Sequence, residues 1–169
     1  RFTQHNIEHH LAHAASAYFI SPWERAAGFT IDGSGDFVTC MFTECEGPDI
    51  KVRRRVYVPH SLGSFYTMVC EFIGYRKYGD EGKVMGLAPL GADRYAETFA
   101  EMVRLTDDGF ELNPAWFMPF GSNQGMSIDD RGEMIVHRHY SDRLVELFGA
   151  PREPHGEITR RDCDLAFSL

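Results

Sequence analysis

Residues 26–58 read AAGFTIDGSGDFVTCMFTECEGPDIKVRRRVYV, three runs of strand-forming residues separated by two clusters of turn formers. Ala26–Ile31 is apolar and β-branched at its end. Asp36–Cys45 alternates, with Phe37, Thr39, Met41 and Thr43 assigned to one face, and Ile50–Val58 carries Val52, Val56 and Val58. Asp32-Gly33-Ser34-Gly35 and Glu46-Gly47-Pro48-Asp49 are short enough to join the runs as hairpins. The expectation is an antiparallel meander. Arg53-Arg54-Arg55 falls inside the third strand, where side chains alternate between faces. It reads as an exposed edge with countercharges rather than a binding patch.

Immediately upstream stands HNIEHHLAHAASAYF, residues 5–19, which holds four of the eight histidines. Asn6 is placed to cap a helix running to about Ile20, where Ser21-Pro22 stops it. Ile7, Leu11, Ala14, Ala15 and Tyr18 recur at helical spacing and predict the core stripe. His9 and His13, four apart, share a different face and can both reach one divalent metal. A zinc-protease helix would need glutamate as its general base where His10 stands. Two ligands do not make a site, and a solvated histidine face accounts for the same spacing. Asp32, at the end of the first strand, is the candidate third ligand. Gly33 and Gly35 beside it leave backbone amides open to an oxyanion, although DG alone is also an ordinary turn dipeptide.

Beyond the strands the pattern turns helical. Helices are expected over about Ser61–Ile73, Lys83–Leu90, Asp93–Arg104 and His139–Phe148, with a further one from Arg160. Phe110–Leu112 reads as a brief strand and Asn113–Gly132 as a long loop. Strands followed by helices indicate a layered α/β or α+β domain. Lys83, in GDEGKVMGLAPLG, is a candidate partner for phosphate or carboxylate, but the segment lacks the phosphate-loop pattern, and a surface lysine explains it equally. His60-Ser61 needs no role beyond starting a helix.

The 169 residues are enough for a real core, and 43% hydrophobic with 25% charged residues is ordinary for a globular domain. A net charge of -8 argues against a general nucleic-acid binder. No apolar run is long enough to span a bilayer, and four scattered cysteines form no disulfide framework, so no membrane partner and a reducing cytoplasm are expected. A start at Arg1 and an end inside a helical pattern give the expectation of a piece of a longer protein.

Four blocks in order, HHLAHAASAYFISPW, AAGFTIDGSGDF, HSLGSFYTMVCEFIGY and EGKVMGLAPLG, followed by GAPREPHGEITRRDCDLAFSL, closely resemble the O-carbamoyltransferase family. Leu90 stands where that family carries an aromatic residue. The resemblance implies a ribonuclease-H-like lobe of the actin and sugar-kinase type. Residues 1–22 would be the last helix of a first lobe and 23–169 the front of a second, with the adenylate-forming domain outside this chain. It implies transfer of a carbamoyl group from carbamoyl adenylate, made from carbamoyl phosphate and ATP, to the hydroxyl of a small acceptor. It places a divalent metal, iron first and zinc or manganese next, on His9, His13 and Asp32. The nucleotide side would involve Asp32, Gly33, Ser34, Gly35 and Lys83, and the Asn113–Gly132 loop would line the acceptor. His10 or Asp36 would take the hydroxyl proton. The fragment alone is expected to be inactive. Two rival readings are a hydrogenase-maturation carbamoyltransferase acting on a thiol, against which HSLGSFY and KVMGLAP weigh, and a noncatalytic nucleotide-binding domain of the same fold.

Overall fold

The computed structural model describes residues 2–119 and 125–169. The chain forms two compact units, Arg1–Gly63 with Leu105–Glu111, and Ser64–Arg104 with Leu112–Leu169.

In the first unit, helix α1 (His9–Tyr18) packs on a three-stranded sheet of β1 (Arg25–Gly35), β2 (Val38–Glu46) and β3 (Asp49–Tyr57). The strands are antiparallel in the order β1-β2-β3, so the expected meander is present. In β2, Thr39, Met41 and Thr43 are buried as one face, and burial alternates as read from Met41 to Glu46. The first part of the strand departs from that pattern, since Val38 and Cys40 are buried as well, and Phe37 lies outside the strand and is exposed. The arginines of β3 find countercharges as expected: Arg53 pairs with Glu44 and Arg55 with Glu8, while Arg54 donates to the Asp107 carbonyl.

Two corrections concern the turns and caps. The first hairpin does not turn at Asp32–Gly35. Strand β1 continues through Gly35, and the turn is Asp36-Phe37, both left-handed at φ 52 and 65. The Asp32-Gly33-Ser34 stretch is instead a bulge, because Ile31 pairs with Cys40 and Gly35 with Val38, setting three residues of β1 against Thr39 alone. Nor does Asn6 cap α1. Glu8 holds the cap position, and the carboxylate of Asp36 accepts the His9 N–H at 2.9 Å, meeting the positive end of the helix. The buried stripe of α1 is His10, Ala14 and Tyr18; Ile7 precedes the helix and is exposed.

The second unit is mostly helical. Helix α2 (Leu62–Phe72), whose first two residues belong to the first unit, buries Phe65, Met68, Val69, Cys70 and Phe72. It is followed by α3 (Glu81–Leu87) with a 3-10 turn at Ala88–Leu90 and by α4 (Ala96–Met102); β4 (Val103–Thr106) and β5 (Gly109–Leu112) then pair with each other, their Leu105–Glu111 stretch belonging to the first unit. A small hairpin, β6 (Met126–Ile128) with β7 (Met134–Val136), precedes α5 (Asp142–Phe148) and α6 (Arg160–Ser168). Helix α6 opens with a full capping box, Thr159 with Asp162. Within the expected Asn113–Gly132 loop lie a 3-10 turn, Pro114–Trp116, and strand β6; residues 120–124 fall outside the described residues. Among the described residues no helix is long and apolar enough to cross a membrane.

All four cysteines are buried and unpaired. Burial pushes the Cys70 thiol up to about 12 and Cys40 to about 11. The folded state thus holds these protons more tightly than the unfolded chain, and this contribution is lost as pH rises from about 9 through the folded values. Iodoacetamide at pH 8 is expected to label none of the four cysteines until denaturant is added, and then all of them, as read by mass spectrometry. Native labelling of Cys70 would contradict its burial.

Candidate metal centre

The bulge in β1 and the first turn of α1 bring three side chains together. His9 Nε2 lies 2.8 Å from Asp32 Oδ2, His13 Nε2 lies 3.4 Å from the same oxygen, and the two imidazole nitrogens are 3.0 Å apart. Donor atoms bonded to one cation at about 2.1 Å are separated by roughly 3.0–3.4 Å, so the three atoms stand at ligand spacing. Two imidazoles with one carboxylate are also the donor set of a facial triad, which suits a first-row divalent metal. The residues therefore fit a metal by number, chemistry and spacing. Asp32 and His9 are half-buried and His13 is exposed, leaving one side open to solvent.

Asp32 and His9 are both held from behind. Asp32 turns its other oxygen, Oδ1, to the N–H of Gly33 at 2.6 Å. Partial burial pushes the Asp32 carboxyl up, but hydrogen bonds from His9, Gly33 and His13 outweigh this and hold it below the usual carboxylate range. His9 is fixed through its backbone by Asp36, and its ring lies against Gly35, where a Cβ would overlap it. Glu8, next along, makes a two-pronged contact with Arg55 at 2.9 and 2.7 Å that ties the start of α1 to β3.

The remaining candidates fall out differently. His10 is fully buried, with Nδ1 2.8 Å from Thr30 Oγ1 and Nε2 2.9 Å from the Val38 carbonyl. Both ring nitrogens are engaged, which makes His10 a strut between α1 and the sheet. Asp36 is exposed and beside the cluster through its bond to His9. Gly33 and Ser34 lie in the bulge with Asp32, and Gly35 closes it by pairing with Val38. Lys83 belongs to the second unit, where its ammonium sits 2.5 Å from buried Asp80 and over the Tyr75 ring, so it is already ion-paired. Sequence reading missed Ser61 and Gly63. Ser61 Oγ donates to the Gly33 carbonyl at 2.7 Å, with the Asp32 carbonyl at 3.2 Å, and Gly63 lies against the Asp32–Gly33 peptide. The signal was present in HSLGSFY, but nothing local marks that glycine as a contact.

Over residues 3–141, which include every member of this cluster, the chain matches the family described as Carbamoyltransferase N-terminus. The chain belongs to that family. This carbamoyltransferase N-terminal chain is 33% identical over 165 residues to the uncharacterised protein sll1178 of Synechocystis, covering 96% of the chain and 25% of the relative. It is 40% identical over 104 residues to the nodulation protein NolO of Bradyrhizobium diazoefficiens, which covers 61% of the chain and 19% of NolO. To nodulation protein NolNO of Sinorhizobium fredii it is 36% identical over 104 residues, 61% of the chain and 15% of the relative. The chain thus spans a quarter or less of the length of these relatives.

Proposed function

We propose that the protein transfers a carbamoyl group from carbamoyl adenylate to the hydroxyl of a small acceptor, and that this chain provides the His9–His13–Asp32 portion of its metal centre. The convergence of those three donor atoms within a carbamoyltransferase-family chain carries the reading. On this reading the sheet is the front of a ribonuclease-H-like lobe, with the adenylate made from carbamoyl phosphate and ATP elsewhere in the protein.

A bound divalent cation, iron before zinc or manganese, would supply charge compensation for the phosphate as AMP departs. The chain's own residues prepare for that. Asp32, kept ionised by its hydrogen bonds, contributes the negative charge that favours a cation over water. The two imidazoles bring their Nε2 atoms to the same point as the Asp32 oxygen. Of the bulge residues, Gly33 gives its N–H to Asp32 Oδ1, and Ser34, which stands out of the ladder, would offer its backbone N–H to an anion. Between the two candidate proton acceptors the geometry favours Asp36. It is exposed and has a second oxygen to use, whereas His10 is fully buried with Nε2 donating to the Val38 carbonyl and Nδ1 covered by Thr30, out of reach of an acceptor hydroxyl.

The test is metal content by elemental analysis on the protein at its natural length, purified beside its His9→Ala/His13→Ala variant. Near-stoichiometric iron, zinc or manganese that falls to background in the variant is the expected result. A wild-type protein without metal after reconstitution with Fe2+ overturns the reading.

A further inference from the structure

We infer that Ser61 and Gly63 form a clasp that positions the Asp32 ligand, an inference that rests on the metal reading of His9, His13 and Asp32. Asp32 sits in a bulge, where it lacks the ladder pairing that fixes its neighbours Ile31 and Gly35. Something else must hold its backbone, or the carboxylate would wander relative to the two imidazoles. Three contacts do so. The buried hydroxyl of Ser61 donates to the Gly33 carbonyl at 2.7 Å, with the Asp32 carbonyl at 3.2 Å. Gly63 presents its bare Cα to the same peptide: an added Cβ would lie 2.6 Å from Gly33 N, 2.7 Å from Asp32 C and 2.8 Å from Asp32 O. The segment is in turn anchored to the sheet, because the buried hydroxyl of Thr39 donates to the His60 carbonyl at 2.5 Å. Thr39 is the residue the bulge leaves opposite three on β1.

Gly63 does not occupy a left-handed conformation, and it lies in the first turn of α2, where alanine is ordinarily the better helix former. Its reason for being glycine is the close approach. The peptide it touches is the one whose N–H binds Asp32 Oδ1 at 2.6 Å and thereby aims Oδ2 at His9 and His13. A methyl group there has to displace the Asp32–Gly33 peptide, and the ligand oxygen moves with it. Supporting groups of this kind affect metal affinity about 10–100-fold.

The experiment is a Co2+ titration followed by visible absorption, on wild type, Gly63→Ala and Ser61→Ala at natural length. Urea unfolding midpoints are recorded for each. The expected result is at least a 10-fold weaker Co2+ affinity in both variants with an altered ligand-field spectrum, alongside lower urea midpoints, the larger fall being in Gly63→Ala, whose Cβ meets backbone. A structural role alone would leave the spectrum of the bound ion unchanged. If Gly63→Ala does not fold, Ser61→Ala decides, since it removes a hydroxyl without adding bulk. Wild-type affinity and spectrum in a folded variant overturn the clasp while leaving the metal reading standing. Absence of Co2+ binding by the wild type overturns the metal reading, and the clasp with it.

Discussion

Replacing Asp32 with asparagine is expected to reduce divalent-metal affinity by more than about 100-fold, since changes to supporting groups alone already cost about 10–100-fold. Asparagine keeps the shape of aspartate and can still accept the Gly33 N–H through its carbonyl oxygen. What it removes is the single negative charge of the cluster, and it turns a donating NH2 toward the two imidazole nitrogens 2.8 and 3.4 Å away. In the metal-free protein that exchange is tolerable, because an imidazole nitrogen accepts a hydrogen bond. The apo fold should therefore lose no more than about 1 kcal/mol, the range of changes that leave buried contacts satisfied. Isothermal titration with Mn2+ or anaerobic Fe2+, paired with a urea melt of the apo protein, separates the two effects. Asp32→Asn that still binds metal like wild type would remove Asp32 from the ligand set.

The same variant should change the acid limb of stability. Asp32 is held below the usual carboxylate range: burial opposes this, and the bonds from His9, Gly33 and His13 outweigh burial. A lowered folded-state value means the unfolded chain binds the proton first. The stabilisation is present above the unfolded value near pH 4 and disappears as pH falls through the folded one. Asparagine has no such proton, so the corresponding slope should vanish from a stability-against-pH curve.

The sheet was legible because the sequence alternates strand formers with Gly- and Pro-bearing turns, and Gly47-Pro48 turns where it was read. The site was legible in outline because two histidines four apart on a helix must share a face. The details were hidden by non-local competition. DGSG has the composition of a turn, while Asp36-Phe37 does not, since a bulky residue at positive φ is disfavoured. That strained pair is held by distant partners, the Asp36 carboxylate on the His9 N–H and the His9 ring against Gly35. No window of local sequence contains both halves of either contact. His10 misleads for a similar reason. Histidine is usually placed on a surface, yet Thr30 and the Val38 carbonyl, twenty or more residues away, satisfy both its nitrogens and let it fill a core position. Lys83 was singled out for its glycine-rich surroundings, and its actual partner, Asp80, lies three residues upstream.

In the second unit the largest single loss is expected from Phe72→Ala, about 3–5 kcal/mol, the range for deleting a buried phenyl ring. Phe72 is 1% exposed and meets Tyr140 edge-on at 5.2 Å and Phe148 at 6.1 Å between ring centroids. The guanidinium of Arg161 lies 5.5 Å above its ring. The surroundings cannot easily collapse into the space left behind. Arg161 is tied to the carbonyls of Phe148 and Ala150 at 2.9 and 2.7 Å and to Asp162 at 2.9 Å. Arg152 is buried, donating to the Ile73 carbonyl at 2.6 Å and the Gly156 carbonyl at 2.8 Å, while its own N–H bonds the Phe72 carbonyl. A cavity walled by the Tyr140 and Phe148 rings and by the tethered Arg161 should put the variant near the upper end of the range, with lost cation–π attraction of about 0.5–2 kcal/mol included. Phe72→Leu, which refills part of the volume, should lose distinctly less. Trp116 is 3% exposed in the same unit, so its fluorescence during urea unfolding, measured in a Trp23→Phe background, reports this unit directly. The midpoint should fall with little change in the slope against urea, because the surface exposed on unfolding is nearly unaltered. A loss below about 1 kcal/mol would mean that the ring does not fill the packed position described, since buried large-to-small changes cost more than that.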